Sequence, residues 1–390
     1  MSTISPHSLP DLLKARVKKT PQAIAQWFLD NEDVWLSISY HDFYEEVVDL
    51  AWKLKALGIS KSNVVAIMAE TGRQWELIHH SALSLGAIVV GIDPKETPSQ
   101  LEAIINIADI EILVIDRLER LDKFHESIKA QVKLIITFDE KTSESIKAIF
   151  INIPQRQAGE LKKTTLPDVV NPEDVATIIF TSGTTGSPKG IAYRHDQIIA
   201  AIDAILQTYP ELTQLPCHLA CWLPLSNLFQ RMVNLCAIAG GAETYFIGQP
   251  QKIIEYLPQI NPHFFIAVPH FYEKLYQGFE VKLSQKPKIV ALCLRYCLTI
   301  GEENSLMGKL FRVINHHVFK TFRSIFGSNI RYLASGSAPM PLWLLKRFDA
   351  MGLLILEAYG LSENVVPIAA NRPKDYQLGT VGKVLKSLEK

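Results

Sequence analysis

The stretch VATIIFTSGTTGSPKG, residues 175–190, joins a run of mainly apolar residues to a loop of small and hydroxylated ones. A short apolar run bounded by a glycine-rich loop is typical of a buried β-strand. The glycines let the backbone turn and approach an anion closely, the hydroxyls offer hydrogen bonds, and Lys189 supplies a positive charge. The stretch therefore predicts a strand that leads into a phosphate-binding loop.

Two common nucleotide-binding loops are excluded by the spacing of this stretch. The G-x-x-x-x-G-K-[ST] loop needs a Gly-Lys pair where this chain has Pro188-Lys189, and the G-x-G-x-x-G dinucleotide pattern is absent from residues 181–190. A kinase or a hydrolase with that loop is therefore a poor fit. The alternative to a phosphate loop is a solvent-exposed Ser/Thr/Gly turn.

On the N-terminal side of this stretch, apolar residues recur alternately at helix and strand spacing. Phe43, Val47 and Leu54 predict a helix over 41–57 that ends at Gly58. The same criteria predict helices at 75–85, 98–107 and 118–129, and strands at 64–69, 87–92, 112–115 and 134–138. Because buried strands alternate with helices, we expect an α/β fold whose mainly parallel sheets are covered on both faces.

The chain divides into three parts on this reading. Residues 1–165 form a first α/β subdomain whose polar end, Gln155–Thr165, is a link, and residues 166–372 form a second α/β subdomain with the phosphate loop. Residues 373–390 begin a third. With 390 residues, 48% of them hydrophobic, the chain is long enough to bury a large core.

Two further motifs follow predicted strands. RYLASGSAPM at 331–340 ends a strand in small residues, which let a flat ring lie against the backbone. After a predicted helix at 341–350 and a strand at 353–356, EAYGLSE at 357–363 offers a ring for stacking, a hydroxyl for a phosphate and a carboxylate for Mg²⁺. Taken singly, Tyr359 and Glu363 would be a core aromatic and a surface carboxylate. Their order after the phosphate loop favours a shared site.

The phosphate-loop segment TSGTTGSPKG resembles the signature of the acyl-adenylate-forming superfamily, which includes acyl-CoA synthetases, luciferases and peptide-synthetase adenylation domains. This resemblance implies the two α/β subdomains of the N-terminal domain of those enzymes. It also implies a two-step reaction that uses ATP, Mg²⁺ and CoA. ATP and a carboxylic acid give an acyl-adenylate and pyrophosphate, and a thiol then displaces AMP.

The resemblance also implies a role for individual residues. Catalytic roles fall to Lys189, Ser362 and Glu363, and Mg²⁺ to Thr181 and Glu363. The acid substrate falls to Asn227 and Gly336. ATP binding falls to Thr181, Ser182, Gly183, Thr184, Thr185, Gly186, Lys189, Gly336, Ser337, Ala338, Ala358, Tyr359, Gly360 and Ser362.

Several segments resemble the branch of long-chain fatty acyl-CoA synthetases. VPHFYEKLY at 268–276 and GTVGK at 379–383 are similar to its motifs. WLPLSNLFQR at 222–231 is similar to a segment that carries histidine and glutamate where this chain has Asn227 and Gln230. Both side chains keep hydrogen-bonding capacity but cannot become charged, so we expect a shifted acid preference or a weakened turnover.

Composition excludes other classes of function. Forty Lys and Arg balance forty Asp and Glu, so the chain has no overall electrostatic preference for nucleic acid. An apolar leader or a long uninterrupted apolar run is absent, which predicts a cytoplasmic protein. The cysteines do not have the C-x-x-C spacing of zinc or redox sites, and we expect buried, reduced thiols; they are Cys217, Cys221, Cys236, Cys293 and Cys297.

One segment has a strong local charge. Between Lys282 and Arg323 lie eight Lys or Arg and only the two acids Glu302 and Glu303, mixed with aliphatic and aromatic residues. Such a stretch predicts either a solvated helix face over the core or a peripheral contact of residues 282–323 with anionic lipid.

The resemblance leaves three alternatives for the activity. It places a ribose-binding aspartate and a C-terminal lobe with the adenylation lysine after the 357–363 motif, and we assign no segment to them. With that lobe absent, this polypeptide should bind ligands but adenylate slowly or not at all. The leading expectation is a long-chain fatty acid–CoA ligase that forms AMP. The others are an acyl–acyl carrier protein synthetase and a non-catalytic protein that binds ATP or fatty acid.

Overall fold

The computed structural model describes residues 6–138, 148–150, 165–181, 188–303, 305–365 and 367–385. Contacts divide the chain into two compact units. The first unit comprises Met1–Leu206, Glu211–Leu215 and Cys221–Gly248. The second comprises Gln207–Pro210, Pro216–Ala220 and Gln249–Lys390.

The described residues form thirteen α-helices. In chain order these are α1 (Leu9–Lys19), α2 (Tyr40–Ala56), α3 (Arg73–Leu83), α4 (Pro98–Ile107), α5 (Glu126–Gln131), α6 (His195–Thr208), α7 (Leu228–Gly240), α8 (Ile253–Ile260), α9 (Pro269–Ser284), α10 (Lys288–Gly301), α11 (Leu306–Val318), α12 (Lys320–Arg323) and α13 (Leu342–Ala350). Short 3₁₀ helices span Leu118–Lys123, Pro210–Thr213, Pro250–Lys252 and Ser324–Phe326.

The described residues also form sixteen β-strands. They are β1 (Ile24–Leu29), β2 (Trp35–Ser39), β3 (Val64–Met68), β4 (Ile88–Gly91), β5 (Ile112–Ile115), β6 (Leu134–Thr137), β7 (Ala148–Phe150), β8 (Val175–Thr181), β9 (Lys189–Arg194), β10 (His218–Cys221), β11 (Glu243–Phe246), β12 (Phe264–Ala267), β13 (Tyr332–Ser335), β14 (Ile355–Tyr359), β15 (Ala369–Ala370) and β16 (Lys383–Val384).

Capping residues fix where the helices of the first unit start. At the start of α2, Ser39 Oγ accepts a hydrogen bond from the Asp42 amide at 3.0 Å, and the Asp42 carboxylate accepts one from the Ser39 amide at 3.3 Å. Thr97 and Gln100 form the same reciprocal cap at α4. Gly58 and Gly86 adopt positive φ after α2 and α3, which only glycine does without strain.

A seven-stranded sheet forms the centre of the first unit. Its strand order is β7-β6-β5-β3-β4-β8-β9, and every pair is parallel except the antiparallel β8 and β9. Alternate residues of β3 point to opposite faces, and all of them are buried except Val64, which is half-buried at the start of the strand. Ala66 and Met68 join a core with α4 and α5, while Val65 and Ile67 face the other side. The sheet is therefore covered on both faces, as predicted.

The same unit contains a second group of strands. Strand β1 pairs in parallel with β11 and antiparallel with β2. In the second unit, the strand order is β10-β12-β13-β14-β15-β16, with parallel pairs from β10 to β14 and antiparallel pairs after β14. The mainly parallel α/β architecture expected from the sequence is confirmed in both units.

The limits of the units differ from the predicted subdomain limits. Strand β8 pairs with β4, and β9 pairs with β8, so both strands belong to the sheet of the first unit rather than to a lobe that begins at residue 166. The division into 1–165, 166–372 and 373–390 stays a prediction about subdomains. Most of the predicted link Gln155–Thr165 lies outside the described residues.

Several local predictions need correction. The predicted helix at 118–129 is a 3₁₀ helix followed by α5. The strand predicted at 353–356 starts at Ile355 and reaches Tyr359, because Gly352 and Leu353 complete the end of α13, where the Leu353 amide bonds to the Phe348 carbonyl at 2.9 Å. All five cysteines are free, but Cys293 is exposed and Cys297 half-buried, contrary to the expected burial.

Among the described residues, none of the helices has the length and apolar content needed to cross a bilayer.

Candidate functional site

The hairpin of β8 and β9 brings two predicted site residues together in the first unit. Thr181 and Lys189 are the register pair that closes the hairpin on either side of residues 182–188. Residues directly opposite in an antiparallel pair project to the same face of the sheet. The side chains of Thr181, which is half-buried, and Lys189, which is exposed, therefore project to the same face of the sheet.

The loop itself carries five of the predicted ATP ligands. Ser182, Gly183, Thr184, Thr185 and Gly186 lie outside the described residues, and their roles stay predictions.

A buried arginine braces the strand that leads to this loop. Thr177 on β8 donates a hydrogen bond to the Val89 carbonyl at 2.6 Å and accepts one from Arg231 Nη1 at 2.9 Å. Arg231 also donates to the Ser226 carbonyl at 3.2 Å and lies 5.5 Å from the ring centre of Trp75. It thereby connects the segment before Asn227 to the middle of β8.

Burial and charge around this arginine act in opposite directions. Burial lowers the pKa of Arg231 to about 10, and the carboxylate of Glu76 raises it. The guanidinium therefore stays charged at neutral pH. A buried cation is costly unless it is paired and hydrogen-bonded, and here two acceptors, a carboxylate and an aromatic face provide that compensation.

The segment that contains Asn227 also contacts strand β4. A Cβ placed on Gly91 would lie 2.6 Å from the Ser226 Cα, which is closer than side chains approach a backbone. Glycine at the end of β4 is therefore required by close approach rather than by its φ angle. The β4 end, β8 and segment 222–227 form one rigid part of the first unit.

The two residues that depart from the long-chain pattern have structural partners. Asn227 is exposed and caps α7, since its Oδ1 accepts from the Phe229 amide at 3.0 Å. Gln230 is buried; its Oε1 accepts from the Leu223 amide at 3.2 Å and its Nε2 donates to Asn234 at 3.0 Å. The proposed substrate role of Asn227 stays a prediction.

In the second unit, two neighbouring strands bring the remaining motifs to one sheet edge. Strands β13 and β14 are parallel, with Ser335 opposite Glu357. Gly336, Ser337 and Ala338 directly follow β13, and Ala358 and Tyr359 end β14. Ser337 has a φ of 71°, which is uncommon for a residue with a side chain and is concentrated at functional turns.

Exposure separates the residues of these two motifs. Gly336 is buried and Ala358 half-buried, while Ser337, Ala338 and Gly360 are exposed. Tyr359 is 44% exposed, and Ser362 and Glu363 follow it in an exposed turn. The ring, hydroxyl and carboxylate that the sequence assigned to ATP and Mg²⁺ are thus open to solvent.

Glu357 has a structural role that was not predicted from the sequence. It is 7% exposed, and its carboxylate accepts a hydrogen bond from the Met340 amide at 3.0 Å. Burial raises the pKa of Glu357, while the backbone amides of Met340 and Gly379 lower it. Because its partner lies beyond the 336–338 turn, the carboxylate holds that turn against β14. Its place in the sequence, directly before Ala358 and Tyr359, does not indicate that it supports this turn.

One further cluster has the donor atoms for a metal. Glu76, His79 and His80 are buried on α3, and their ligand atoms lie within 4.8 Å of one another. Burial, followed by the charges of neighbouring residues, lowers the pKa of His79 and keeps its imidazole neutral. However, the Glu76 carboxylate already compensates the charge of Arg231, so we assign no metal to this cluster.

The amino-acid sequence matches a known family. The family described as AMP-binding enzyme matches residues 13–389. This chain belongs to the AMP-binding enzyme family. The resemblance first seen in TSGTTGSPKG is therefore confirmed at the level of the family.

Curated relatives of this AMP-binding enzyme include long-chain fatty acid ligases. A long-chain-fatty-acid–CoA ligase of Homo sapiens is 24% identical over 413 aligned residues, which cover 98% of this chain and 60% of that protein. Long chain acyl-CoA synthetase 3 of Arabidopsis thaliana is 26% identical over 376 residues, covering 91% of this chain and 56% of that protein. The chain thus spans less than two thirds of the length of these relatives.

Solved structures share the fold. The inhibitor-bound N-terminal domain of FACL13 from Mycobacterium tuberculosis has a TM-score of 0.69 at 18% identity, over 97% of this chain and 82% of that one. The adenylation domain of a carboxylate reductase from Mycobacterium chelonae has a TM-score of 0.71 at 18% identity, over 91% of this chain and 58% of that one. The predicted fold of an adenylate-forming N-terminal domain is confirmed.

Proposed function

We propose that this chain binds ATP·Mg²⁺ and a long-chain fatty acid and forms an acyl-adenylate with release of pyrophosphate, and that the whole protein then transfers the acyl group to CoA with release of AMP. The observation that carries this proposal is the β8–β9 hairpin, which pairs Thr181 with Lys189 at the two ends of the segment that resembles the phosphate-binding signature. In the first step a carboxylate oxygen bonds to the α-phosphorus as the bond to pyrophosphate breaks. In the second, a thiol loses its proton, bonds to the acyl carbon and releases AMP.

The first unit would bind the triphosphate. Lys189 is an exposed cation beside the Thr181 hydroxyl, and together with the loop residues it would offset phosphate charge. Each residue assigned to Mg²⁺, the Thr181 hydroxyl in the first unit and the Glu363 carboxylate in the second, is a hard oxygen donor of the kind this ion prefers, so the chemistry of each fits the ion. Bound Mg²⁺ would neutralise charge on the phosphates.

The second unit would bind the nucleoside. The turn 336–338 has small side chains next to the end of β14, where Tyr359 offers an exposed ring for stacking on adenine. The exposed hydroxyl of Ser362 would donate a hydrogen bond to a phosphate oxygen.

The choice of acid and thiol rests on the relatives. Several curated relatives are named as long-chain fatty acid–CoA ligases or acyl-CoA synthetases, which supports a fatty acid and CoA as substrates. Exposed Asn227 is our candidate for contact with the acid. An acyl carrier protein in place of CoA is an alternative acceptor with no specific support.

The proposal is tested by fatty-acid-dependent exchange of labelled pyrophosphate into ATP. We expect slow exchange that requires a fatty acid and falls about tenfold or more in Lys189→Ala, because an interaction with developing phosphate charge is lost. Lys14→Ala, which removes an exposed lysine from α1, is the matched control and should keep the wild-type rate.

Two results would overturn the proposal. One is the absence of exchange with fatty acids of every chain length at saturating ATP. The other is equal exchange in wild type and Lys189→Ala. In the whole protein, formation of an acyl thioester with CoA but not with acyl carrier protein would support the proposed acceptor, and the reverse would replace it.

A further inference from the structure

The outer face of α10 is apolar. Ile289, Leu292 and Tyr296 are 75%, 69% and 64% exposed. At about 100° per residue they share one face of the helix. The buried residues of α10 are Ala291, Leu298 and Gly301, which lie on the opposite side. Water-soluble helices usually bury their apolar stripe, whereas α10 exposes most of its large apolar side chains.

Helix α11 shows the same exposure. Leu306, Leu310 and Val313 are 85%, 53% and 62% exposed, whereas its buried residues are Gly308 and Asn315. The side chain of Asn315 donates a hydrogen bond to the Cys297 carbonyl of α10 at 3.0 Å. The two helices are therefore joined by the polar side chain of Asn315, and most of their large aliphatic side chains, with the exception of buried Leu298, are exposed or half-buried.

The inward side of this pair is closely packed against the rest of the second unit. A Cβ on Gly301 would lie 2.7 Å from Asn315 Nδ2 and 3.2 Å from the Ala350 Cβ of α13. A Cβ on Gly308 would lie 2.0 Å from the Glu303 carbonyl oxygen. These small residues fix which side of each helix faces inward. The apolar face consequently cannot rotate into the core.

Charge distinguishes the kind of surface that would cover this face. Lys286, Lys288 and Lys309 are exposed beside the apolar residues, and none forms an ion pair within the part of the chain that the structure describes. Of the two acids in the segment, Glu302 is paired with Arg347 at 2.8 Å. Exposed aliphatic side chains flanked by lysines, with a tyrosine among them, fit an anionic bilayer interface better than a protein partner.

We propose that this protein docks on anionic lipid membranes through the exposed apolar residues of α10 and α11, here called the α10–α11 face. These residues are Ile289, Leu292, Tyr296, Leu306, Leu310 and Val313. The aliphatic side chains enter the interface between headgroups and acyl chains, and the flanking lysines contact phosphate groups. This inference concerns where the protein binds and does not depend on the proposed adenylation.

The test is flotation of the 390-residue chain with vesicles of phosphatidylcholine containing phosphatidylglycerol. We expect binding at low salt that weakens as salt is raised, since exposed charge pairs are screened. Leu292→Ser with Leu310→Ser should weaken the partition coefficient by about tenfold or more, because two inserted aliphatic side chains are lost. Ile107→Ser with Leu215→Ser removes two comparably exposed aliphatic side chains elsewhere and is the matched control.

Every outcome decides the inference. Equal loss of binding in both double variants, or no binding to the anionic vesicles at low salt, would overturn it. A different outcome is that the chain self-associates in sedimentation without binding vesicles. If Leu292→Ser with Leu310→Ser abolished that self-association, the α10–α11 face would be assigned to a second copy of the chain. Binding that depends on phosphatidylglycerol and on Leu292 and Leu310, but not on the control pair, would support the membrane.

Discussion

Polar side chains are buried around Arg231 in the first unit but exposed over residues 359–363 of the second unit. Arg231, Thr177 and Gln230 are buried, and each has defined hydrogen-bond partners within the protein. Tyr359 and Glu363 are exposed at the end of β14 and in the turn after it. The first group holds segments in place, and the second is available to a ligand.

The difference is clearest for two glutamates in one motif. Glu357 and Glu363 lie six residues apart in EAYGLSE, yet Glu357 is buried and accepts the Met340 amide, while Glu363 is exposed. The motif therefore combines a buried supporting residue with an exposed residue that stays a candidate for ligand contact. Burial and hydrogen-bond partners distinguish them where residue type does not.

The largest expected effect is at the centre of the buried group. Arg231→Met removes the cation that compensates Glu76 and leaves the Ser226 carbonyl without its donor, so we expect a loss of about 4 kcal/mol in unfolding free energy. Urea unfolding measures it, with Lys189→Ala as the exposed control that should change stability by less than about 0.5 kcal/mol. Similar stability of both variants would erase the contrast between the two groups.

A second prediction concerns His195, which is buried at the start of α6. Its Nδ1 accepts a hydrogen bond from the Leu9 amide at 3.3 Å, which requires a neutral ring. Burial lowers the pKa of His195 to about 4, although Asp174, Asp11 and Asp196 act in the opposite direction. The unfolded chain therefore takes up the proton first, and stability present above about pH 6.5 is lost as the pH falls toward 4.

The expected contribution of His195 over this range is about 3 kcal/mol. Urea unfolding at several pH values should show a smaller loss in His195→Asn, whose side-chain oxygen can accept from Leu9 but does not titrate. An identical pH dependence in wild type and variant would show that the buried imidazole is not responsible.

The close approach of β4 to segment 222–227 gives a smaller effect. Gly91→Ala must displace the Ser226 backbone and should cost about 2 kcal/mol. Gly278→Ala makes the same change within α9, but there the added Cβ meets nothing within 4 Å. We therefore expect this variant to be more stable than wild type by about 0.5 kcal/mol. If thermal unfolding moved in the same direction for both variants, the tight contact would be refuted.

The smallest effect tests whether Asn227 belongs to both groups. Asn227→Ala removes the cap of α7 and should cost about 1 kcal/mol, whereas Asn227→Asp keeps an acceptor and should retain stability. Urea midpoints of the two variants measure the cap. Unchanged stability in Asn227→Ala would leave substrate contact as the sole role of this residue.

Much of the fold could be predicted because local signals agree with the final packing. Helices near Phe43 and Leu101 have capping residues at one end and an apolar stripe along one face, and buried strands such as 112–115 are continuous apolar runs. Predictions were less accurate where the position of an element depends on partners that are distant in sequence. The membership of β8 in the first sheet depends on its pairing with β4, which no local pattern encodes.

The candidate site shows the same division. TSGTTGSPKG could be recognised because its glycines, hydroxyls and lysine follow the order of a family signature, and the hairpin pairs Thr181 with Lys189. The supporting role of Gln230 could not be recognised, because its value lies in reaching the amides of Trp222 and Leu223. Cys293 was expected inside because apolar neighbours usually mark the core, but here they form the outer face of α10.

The most direct test of the account is calorimetric titration of ATP·Mg²⁺ into wild type and Lys189→Ala, with the thermal unfolding midpoint of each free protein measured alongside. The account predicts that the variant binds ATP about tenfold or more weakly while its midpoint stays within about 1 °C of wild type, because an exposed cation that meets phosphate contributes little to folding. Equal affinity, or an affinity loss that comes with a lowered midpoint, would contradict it.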